Sequence, residues 1–445
     1  MVEYPIFDVP VLGGSLLIAT VAIFHVFISH FSIGAGFLLA TAERRAIKNN
    51  DNDTLSFLKK YVFLVLLVPY VLGTVSGVGI WFTIALVNPR AISILIHQFV
   101  WDWAIEWVLF IVEVVSIFVY VFRWDKMSAK AHNRLGWIFA FCSLATLLVI
   151  NGILTFMLTP GQWQPFDAGV LNYKALLNPT YLPTTLARIT VSLALAGVGA
   201  VVLMTFVRKT SDHVRERIIA LAYKFMLPAI LCIPLGGWVY TQLSERAQTF
   251  LAGGAAPMVL FLMFGMISFL ILFLAAAVSL IRKDFSTSSL GAILLCLLAF
   301  VSFGSMEFVR EGTRKPYVIE GFMYSTGVTV PAYKDLDHHA NLLQTNQSGI
   351  LSAAPWALPS GKSKTEVDSL TLGQAIFNAS CLRCHSVDGY NAIRPLVKGW
   401  SAQTLRESLD HLDEIKSSMP PFPGTDEEKE ALMTYLHSLQ DESKK

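Results

Sequence analysis

Long apolar runs alternate with short polar segments from the N-terminus to about residue 308. Eight of these runs exceed the ~20 residues that a helix needs to cross the hydrocarbon core of a bilayer. Runs of this length with few charges predict membrane-spanning helices. No basic segment precedes the first run and no small-residue cleavage site follows it, so we expect it to be retained. The expected spans are residues 12–42, 57–87, 94–122, 135–159, 183–207, 218–243, 255–281 and 288–308.

The pattern changes after the eighth run. Residues 346–368 are rich in Ser, Lys, Pro and Gly, which is typical of a linker. The residues that follow have the pattern of a small helical domain. We therefore expect an all-α protein with three parts: a polytopic bundle of eight transmembrane helices at 1–320, a linker outside the membrane at 321–368 and a small helical domain at 369–445.

Charged residues make up 15% of the chain, and their distribution indicates the orientation of the spans. Lys and Arg close to span ends are retained on the cytoplasmic side. The second, fourth and sixth loops hold three of them, whereas the other loops hold sixteen. We therefore expect the N-terminus and everything after the eighth span to lie outside the cytoplasm. The net charge of +2 gives no indication of nucleic-acid binding. The sixteen are Arg44, Arg45, Lys48, Lys59, Lys60, Arg123, Lys126, Lys130, Arg134, Arg208, Lys209, Arg215, Arg217, Lys224, Arg282 and Lys283.

The stretch CLRCHSVDGY, residues 381–390, contains the pattern C-x-x-C-H. In this pattern two cysteines hold a porphyrin through thioether bonds, and the histidine becomes an iron ligand. The alternative is half of a zinc site, but the chain has no second C-x-x-C. The motif therefore predicts one covalent heme c on Cys381, Cys384 and His385.

Residues 372–445 resemble a class I cytochrome c. The stretch LGQAIFNAS leads into the motif, and SSMPPFPGTDEEKEALMTYLHSL carries a methionine ahead of a final amphipathic helix. The resemblance implies that Met419 is the sixth iron ligand, and a His/Met pair raises the reduction potential. A surface methionine is the alternative. The resemblance also implies attachment of the heme outside a bacterial cytoplasmic membrane, on the side that the charge distribution indicates independently.

Ionisable side chains inside a bilayer are costly, so each one is a candidate for function. His25 lies about 20 Å along the first helix, where its imidazole could bind a heme iron or a backbone carbonyl. His30 points to another face of the same helix, and His97 begins the third run; their roles stay open. The third run also carries three acids on one face, which predicts a proton path or contacts to a heme: Asp102, Glu106 and Glu113.

Three stretches resemble subunit I of the cytochrome bd oxidase family: AIFHVFISHFSIGAGFLLATAE, IEWVLFIVE followed by RWDK, and REGTRKPY. The resemblance covers about residues 10–320, with the same order and orientation of eight helices. It implies heme-ligating side chains at His25 and Glu311 and the arginine of the last motif at Arg314. It also implies one or two noncovalent hemes, heme b, heme d or both, and a second membrane subunit, either a relative of subunit II or a second copy of this chain.

Three departures from this family concern the source of electrons. The histidine that holds the family's low-spin heme b on the fifth helix falls at Ala187 or Arg188, although Met263 could supply the methionine of the seventh. The long quinol-binding loop between the sixth and seventh helices is reduced to residues 244–254. The family's ninth helix is missing, and the heme c tail occupies its place in the chain.

Together these features predict a membrane oxidoreductase that takes electrons from an external cytochrome c, or from a donor complex, and passes them through heme c to intramembrane hemes and to oxygen. Asp102, Glu106 and Glu113 would carry protons to the site. Arg188 and Arg314 would neutralise heme propionates, and the alternative for Arg188 is snorkelling to the interface. A second hypothesis is a non-catalytic subunit that relays electrons between a quinone pool or a peripheral dehydrogenase and cytochrome c. Under both, we expect a multi-pass protein of the bacterial cytoplasmic membrane.

Overall fold

The computed structural model describes residues 5–165, 173–207, 209–282, 287–333 and 340–440. Within these ranges eight helices are long and apolar enough to cross a membrane, which confirms the all-α bundle expected from the sequence. Arg208 and Lys283 of the charge distribution lie outside the described residues. In chain order, spans 1 to 8 are Gly13–Lys48, Asn52–Val87, Val100–Phe122, Ala129–Phe156, Tyr181–Phe206, Asp212–Gln242, Ala256–Arg282 and Ser289–Thr313.

Span 3 begins later than the apolar pattern predicts. Phe99 has a non-helical backbone (φ −118°, ψ 28°), so the chain breaks before Val100. The preceding residues form a separate amphipathic helix, Pro89–Gln98. The sequence had indicated that His97 begins span 3. It lies instead in the last turn of this short helix. The helix buries Ala91, Ile92, Ile94 and Leu95.

Two spans contain irregular turns. Span 2 has a π-helical turn at Phe63–Leu67. Span 6 has a 3₁₀ turn at Leu227–Leu231, where Pro228 lacks the N–H that a regular α-helix would need. Short helical segments also connect the spans: Trp124–Lys126, Tyr173–Leu176, Glu245–Thr249 and the π turn Phe250–Gly254.

The chain divides into two compact units. The bundle unit comprises Ala22–Val78 and Gln98–Thr313, and its core is built from large side chains of several spans, among them Tyr120 and Met204. Close approach of spans 1 and 5 depends on Gly34, because a Cβ there would lie only 1.9 Å from the carbonyl oxygen of Ser192. Small residues at helix crossings are typical of membrane bundles.

The tail unit comprises Met1–Val21, Gly79–His97 and Arg314–Lys445. Its strands β1 (Tyr317–Ile319) and β2 (Met323–Tyr324) pair antiparallel. Its α-helices after span 8 are Leu342–Ser348, Ile350–Ala353, Ser369–Ser380, Ile393–Val397, Ala402–Asp410, Leu412–Ile415 and Asp426–Ser438. Its 3₁₀ turns are Pro331–Tyr333, Pro355–Ala357 and Lys364–Glu366.

The segment expected as a linker is packed into the core of the tail unit. Ile350 and Leu351 are buried in the same cluster as Ile376 of the helix that precedes the heme motif. The buried carboxylate of Glu428 accepts hydrogen bonds from the backbone N–H groups of Ile350 (2.7 Å) and Leu351 (3.2 Å), and Lys364 pairs with it at 2.8 Å. The segment therefore folds with the helical domain, because it supplies apolar side chains and backbone donors to that core.

The tail unit also includes residues from the start of the chain. The backbone N–H of Tyr390, beside the heme motif, donates to the carbonyl of Val11 at 2.9 Å. Gly389 permits this approach, since a Cβ there would lie 2.2 Å from the same carbonyl oxygen. Arg90, in the helix after span 2, donates to the carbonyl of Ala353 at 2.8 Å. The C-x-x-C-H domain is thus built onto the N-terminal end of span 1.

Candidate heme sites

The C-x-x-C-H motif forms a tight turn at the end of helix Ser369–Ser380. The N–H groups of Cys384 (3.0 Å) and His385 (2.9 Å) both donate to the carbonyl of Cys381. Nδ1 of His385 lies 3.0 Å from the carbonyl oxygen of Asn391, so this nitrogen carries the proton and Nε2 is available for an iron. Both cysteines are free thiols. This donor set fits a covalently attached heme c.

Burial sets the protonation of these groups. It raises the pKa of the Cys381 thiol to about 12, and the neighbouring Cys384 adds to the rise. Burial also lowers the pKa of His385, which keeps the imidazole neutral at pH 7. A neutral imidazole is the form that binds a metal. The Cys381 thiol therefore stays protonated until it is consumed by thioether formation.

Met419 lies in the same unit as the motif, in the turn before helix Asp426–Ser438. Its N–H donates to the carbonyl of Lys416 at 2.7 Å, and its side chain is half-buried. Its role as the sixth ligand remains a prediction.

His25 has the hydrogen bonding of an iron ligand. Its Nδ1 lies 2.9 Å from the carbonyl oxygen of Gly73, and Ser29 Oγ lies 3.3 Å from Nε2. The ring packs closely against Gly77, where a Cβ would come within 3.0 Å of Cε1. The proton on Nδ1 directs Nε2 toward any metal. These contacts fit an imidazole whose Nε2 could bind an iron, and the role of His25 as a heme ligand remains a prediction.

His30 and His97 differ from His25 in their burial and hydrogen bonding. His30 is buried, its Nδ1 donates to the carbonyl of Val26 at 2.7 Å, and its Nε2 accepts from Arg188 at 3.2 Å. Nε2 of His30 is bonded to a buried arginine that Glu307 also holds, whereas Nε2 of His25 meets only a serine hydroxyl that can rotate away, so His30 fits an iron ligand less well than His25 does. His97 is exposed and lies 2.7 Å from the carbonyl oxygen of Ser93.

A buried ion cluster links spans 5 and 8. Arg188 donates to Glu307 at 2.7 Å, and Arg310 donates to the other carboxylate oxygen at 2.8 Å. Arg310 also lies 4.0 Å from Glu311. Both terminal nitrogens of Arg188 are therefore occupied, by His30 and Glu307, which removes the grounds for its expected role at a propionate. Sequence reasoning missed Glu307, although an acid one turn before Glu311 in an apolar run was a signal.

Loss of one charge from this cluster should destabilise the folded protein. Glu307→Ala would leave Arg188 and Arg310 without their shared carboxylate, so we expect destabilisation by about 3–5 kcal/mol. The double substitution Arg188→Leu with Glu307→Leu should recover most of this loss, because it removes the Arg188–Glu307 pair together and leaves only Arg310, which keeps Glu311 nearby. Lys59→Ala is the control: it breaks an exposed pair with Asp125 and should cost about 1 kcal/mol or less. Thermal unfolding in detergent measures the stability of all three variants. Equal losses of stability in the three would contradict the role of Glu307 as a buried, shared carboxylate.

The three acids of span 3 are placed differently from one another. Asp102 is buried in the first turn, and Glu106 is half-buried one turn later. Glu113 is buried and accepts hydrogen bonds from the hydroxyls of Ser143, at 2.8 Å, and Thr146 on span 4. Hydroxyl donors of this kind can hold or pass a proton. The structure thus gives Glu113 the most complete surroundings of the three.

The remaining predicted residues lie at span ends or on the surface. Glu311 is near the end of span 8 with 37% of its side chain exposed. Arg314 is buried in the tail unit and donates to the carbonyl of Val318 at 2.6 Å. Met263 is 51% exposed on span 7. The position of the family's low-spin heme ligand on span 5 is therefore Ala187 or the engaged Arg188, and Met263 is a surface side chain.

Comparisons with known proteins agree with this architecture. A family model described as cytochrome bd terminal oxidase subunit I matches residues 15–253, and one described as cytochrome c oxidase, cbb3-type, subunit III matches residues 368–436. Glu311 and Arg314 lie beyond the first match. A search of curated proteins found no match.

A solved structure titled "The structure of bd oxidase from Geobacillus thermodenitrificans" superposes with a TM-score of 0.61. The two chains are 15% identical, and the similarity covers 86% of this chain and 98% of the other. At this identity the similarity shows the fold alone. The first family match, however, covers more than half of the chain. The chain therefore belongs to the cytochrome bd terminal oxidase subunit I family, with a cytochrome c domain at its C-terminal end.

Proposed function

We propose that this chain is the heme-carrying subunit of a membrane oxidase that receives electrons through its own cytochrome c domain and reduces oxygen. The observation that carries the proposal is the paired presence of a complete C-x-x-C-H site and a short connection between spans 6 and 7. Only residues 243–255 separate these spans. A bd-type subunit without its quinol-binding loop needs another electron entry, and the tail supplies one.

Electron entry is assigned to Cys381, Cys384 and His385, with Met419 as the sixth ligand. The two thiols fix the porphyrin covalently, and the carbonyl of Asn391 orients His385 through Nδ1. A bound heme c supplies one-electron transfer at a potential raised by the His/Met pair. The donor is a soluble or membrane-bound cytochrome c, or a donor complex, outside the cytoplasm.

The intramembrane heme ligands are assigned to His25 and Glu311. Gly73 orients His25 through its carbonyl, and Arg310 lies close enough to Glu311 to stabilise the carboxylate. Arg314 is retained as a partner of a propionate, whereas Arg188 is assigned to holding Glu307. The lack of a histidine in span 5 favours the absence of a low-spin heme between spans 5 and 7. Whether the porphyrin is heme b or heme d depends on its biosynthesis.

Proton transfer is assigned to the three acids of span 3. Glu113 accepts from Ser143 and Thr146, so its carboxyl group can take up a proton and release it while its position is held. Glu106 and Asp102 continue along the same helix over about 16 Å. The protein would act in the bacterial cytoplasmic membrane with its N-terminus and cytochrome c domain outside, and with a second membrane subunit or a second copy of this chain.

The test combines carbon monoxide binding with a choice of electron donor. Purified protein should consume oxygen with reduced cytochrome c and not with quinol, and reduced protein should show a carbon monoxide difference spectrum from an iron with an open coordination position. Absence of both carbon monoxide binding and oxygen consumption would contradict the oxidase function and favour the non-catalytic relay subunit. Full quinol oxidation after removal of residues 369–445 would contradict the assigned entry point.

A further inference from the structure

A second closed polar network lies at the end of the bundle remote from the N-terminus. Glu43 of span 1, Tyr120 of span 3 and His132 of span 4 are each no more than 2% exposed. Nδ1 of His132 lies 2.6 Å from one oxygen of Glu43. The other oxygen accepts from the Tyr120 hydroxyl at 2.8 Å and from Asn133 at 3.1 Å. None of these contacts is used in the proposed heme sites.

The hydrogen bonds fix the number of protons in this network. Nε2 of His132 lies 2.8 Å from the backbone carbonyl oxygen of Tyr120, which can only accept, so Nε2 carries a proton. On the other side of the ring, Nδ1 faces a carboxylate oxygen of Glu43. A proton must lie between them, because two lone pairs at 2.6 Å would repel. The pair therefore holds one shared proton, as imidazolium with carboxylate or as imidazole with carboxylic acid.

The surroundings suit a proton that is held away from water. The aromatic rings of Tyr120 and Trp124 lie 4.2 Å and 4.3 Å from the His132 ring, and aromatic faces stabilise a cation. The charged residues that flank the network in sequence are exposed: Arg44, Arg45, Lys48, Arg123, Asp125, Lys126, Lys130 and Arg134. The three acids of span 3 lie farther along that helix, with Asp102 and Glu113 buried and Glu106 half-buried.

Polar side chains lead from this pair toward Glu113. Tyr120, Ser116 and Glu113 are buried on one face of span 3, and seven residues correspond to about 10 Å along the helix. Tyr70 of span 2 packs between Phe110 and Phe139 in the same region. Its buried hydroxyl has no hydrogen-bond partner within the described residues. A buried hydroxyl of this kind is typically satisfied by an internal water, and waters could bridge the gap.

We propose that Glu43 and His132 form a proton-loading site that supplies Glu113. The inference rests on the proposed role of Glu113 and not on the identity of the oxidant. In each transfer the shared proton leaves the Glu43–His132 pair, passes along the face of Tyr120 and Ser116, and binds the Glu113 carboxylate. The emptied pair has one negative charge and two opposed lone pairs, so it takes up a proton from water at the loop side of the bundle.

Glu43→Gln tests this role with little change in shape. The amide can donate to Nδ1 of His132 and accept from Tyr120 and Asn133, so the contacts remain while the acidic proton is lost. After a single turnover of the reduced protein, proton uptake followed with a pH-indicator dye should slow at least about tenfold. Heme content and heme spectra should stay unchanged, and Glu43→Asp should restore part of the rate. Arg134→Ala, which removes an exposed side chain of the same span as His132, should retain the wild-type rate.

Two outcomes would overturn the proposal. Wild-type uptake kinetics in Glu43→Gln would show that the pair only clamps spans 1, 3 and 4. Isotope-edited NMR of the histidine ring nitrogens in the resting wild-type protein needs no variant and no turnover: His132 should show protons at Nε2 and in the bond to Glu43, and a bare Nδ1 would contradict the shared proton. Because the NMR result does not depend on oxygen, failure of the proposed oxidase function is distinguishable from failure of this inference.

Discussion

Replacement of Cys381 and Cys384 by serine is expected to abolish covalent heme and oxygen consumption driven by reduced cytochrome c. Serine hydroxyls cannot form the thioethers, and without heme c the electrons have no entry to the bundle unit. Heme-stained denaturing gels and an oxygen electrode measure the two effects, and both signals should fall to background. Noncovalent heme, counted as pyridine hemochrome, should remain, because His25 and Glu311 are unchanged.

Cys296→Ser is the matched control for this variant. Cys296 is also a free thiol, but it is exposed on span 8 and lies in no heme motif. Its replacement should leave both the heme stain and the oxygen rate unchanged. Oxygen consumption at the wild-type rate by the double serine variant would contradict electron entry through the tail.

His25→Ala is expected to produce the opposite pattern, with loss of a noncovalent heme and full retention of heme c. Alanine removes the only imidazole assigned to an iron in the bundle unit, and the neighbouring hydroxyls of Ser29 and Ser76 are much weaker iron ligands. Pyridine hemochrome analysis should show heme c unchanged and heme b or d reduced by one per chain. The carbon monoxide spectrum should be lost with it if His25 binds the reactive iron.

His97→Ala is the control for His25→Ala, because His97 makes a similar hydrogen bond but lies on the surface. Both residues bond a backbone carbonyl through Nδ1, His25 at 2.9 Å and His97 at 2.7 Å. His97 lies exposed on the short helix before span 3, so its replacement should change no heme count. An unaltered heme content in His25→Ala would place the membrane heme on other residues.

Local sequence was enough for the spans and for the heme c motif. A bilayer admits only backbones that satisfy their own hydrogen bonds, so an apolar run of sufficient length has one available structure. The C-x-x-C-H pattern is similarly local, because its three donors fall within a single turn. The break at Phe99 was not predictable in this way, since apolar residues continue across it and the amphipathic packing of Pro89–Gln98 decides where span 3 begins.

The ion cluster and the proton pair depend on contacts between residues far apart in the chain. Arg188 meets Glu307 across 119 positions, and Glu43 meets His132 across 89. In the sequence each is a single charge in or beside an apolar run, compatible with a ligand, a snorkelling side chain or a structural bond. Only helix packing brings their partners within hydrogen-bond reach and so selects among these roles, because a buried charge is stable only where its partner lies. The sequence alone predicted eight membrane helices and an attachment site for a covalent heme; the tertiary structure decided which intramembrane side chains are already engaged and which remain available to bind iron or protons.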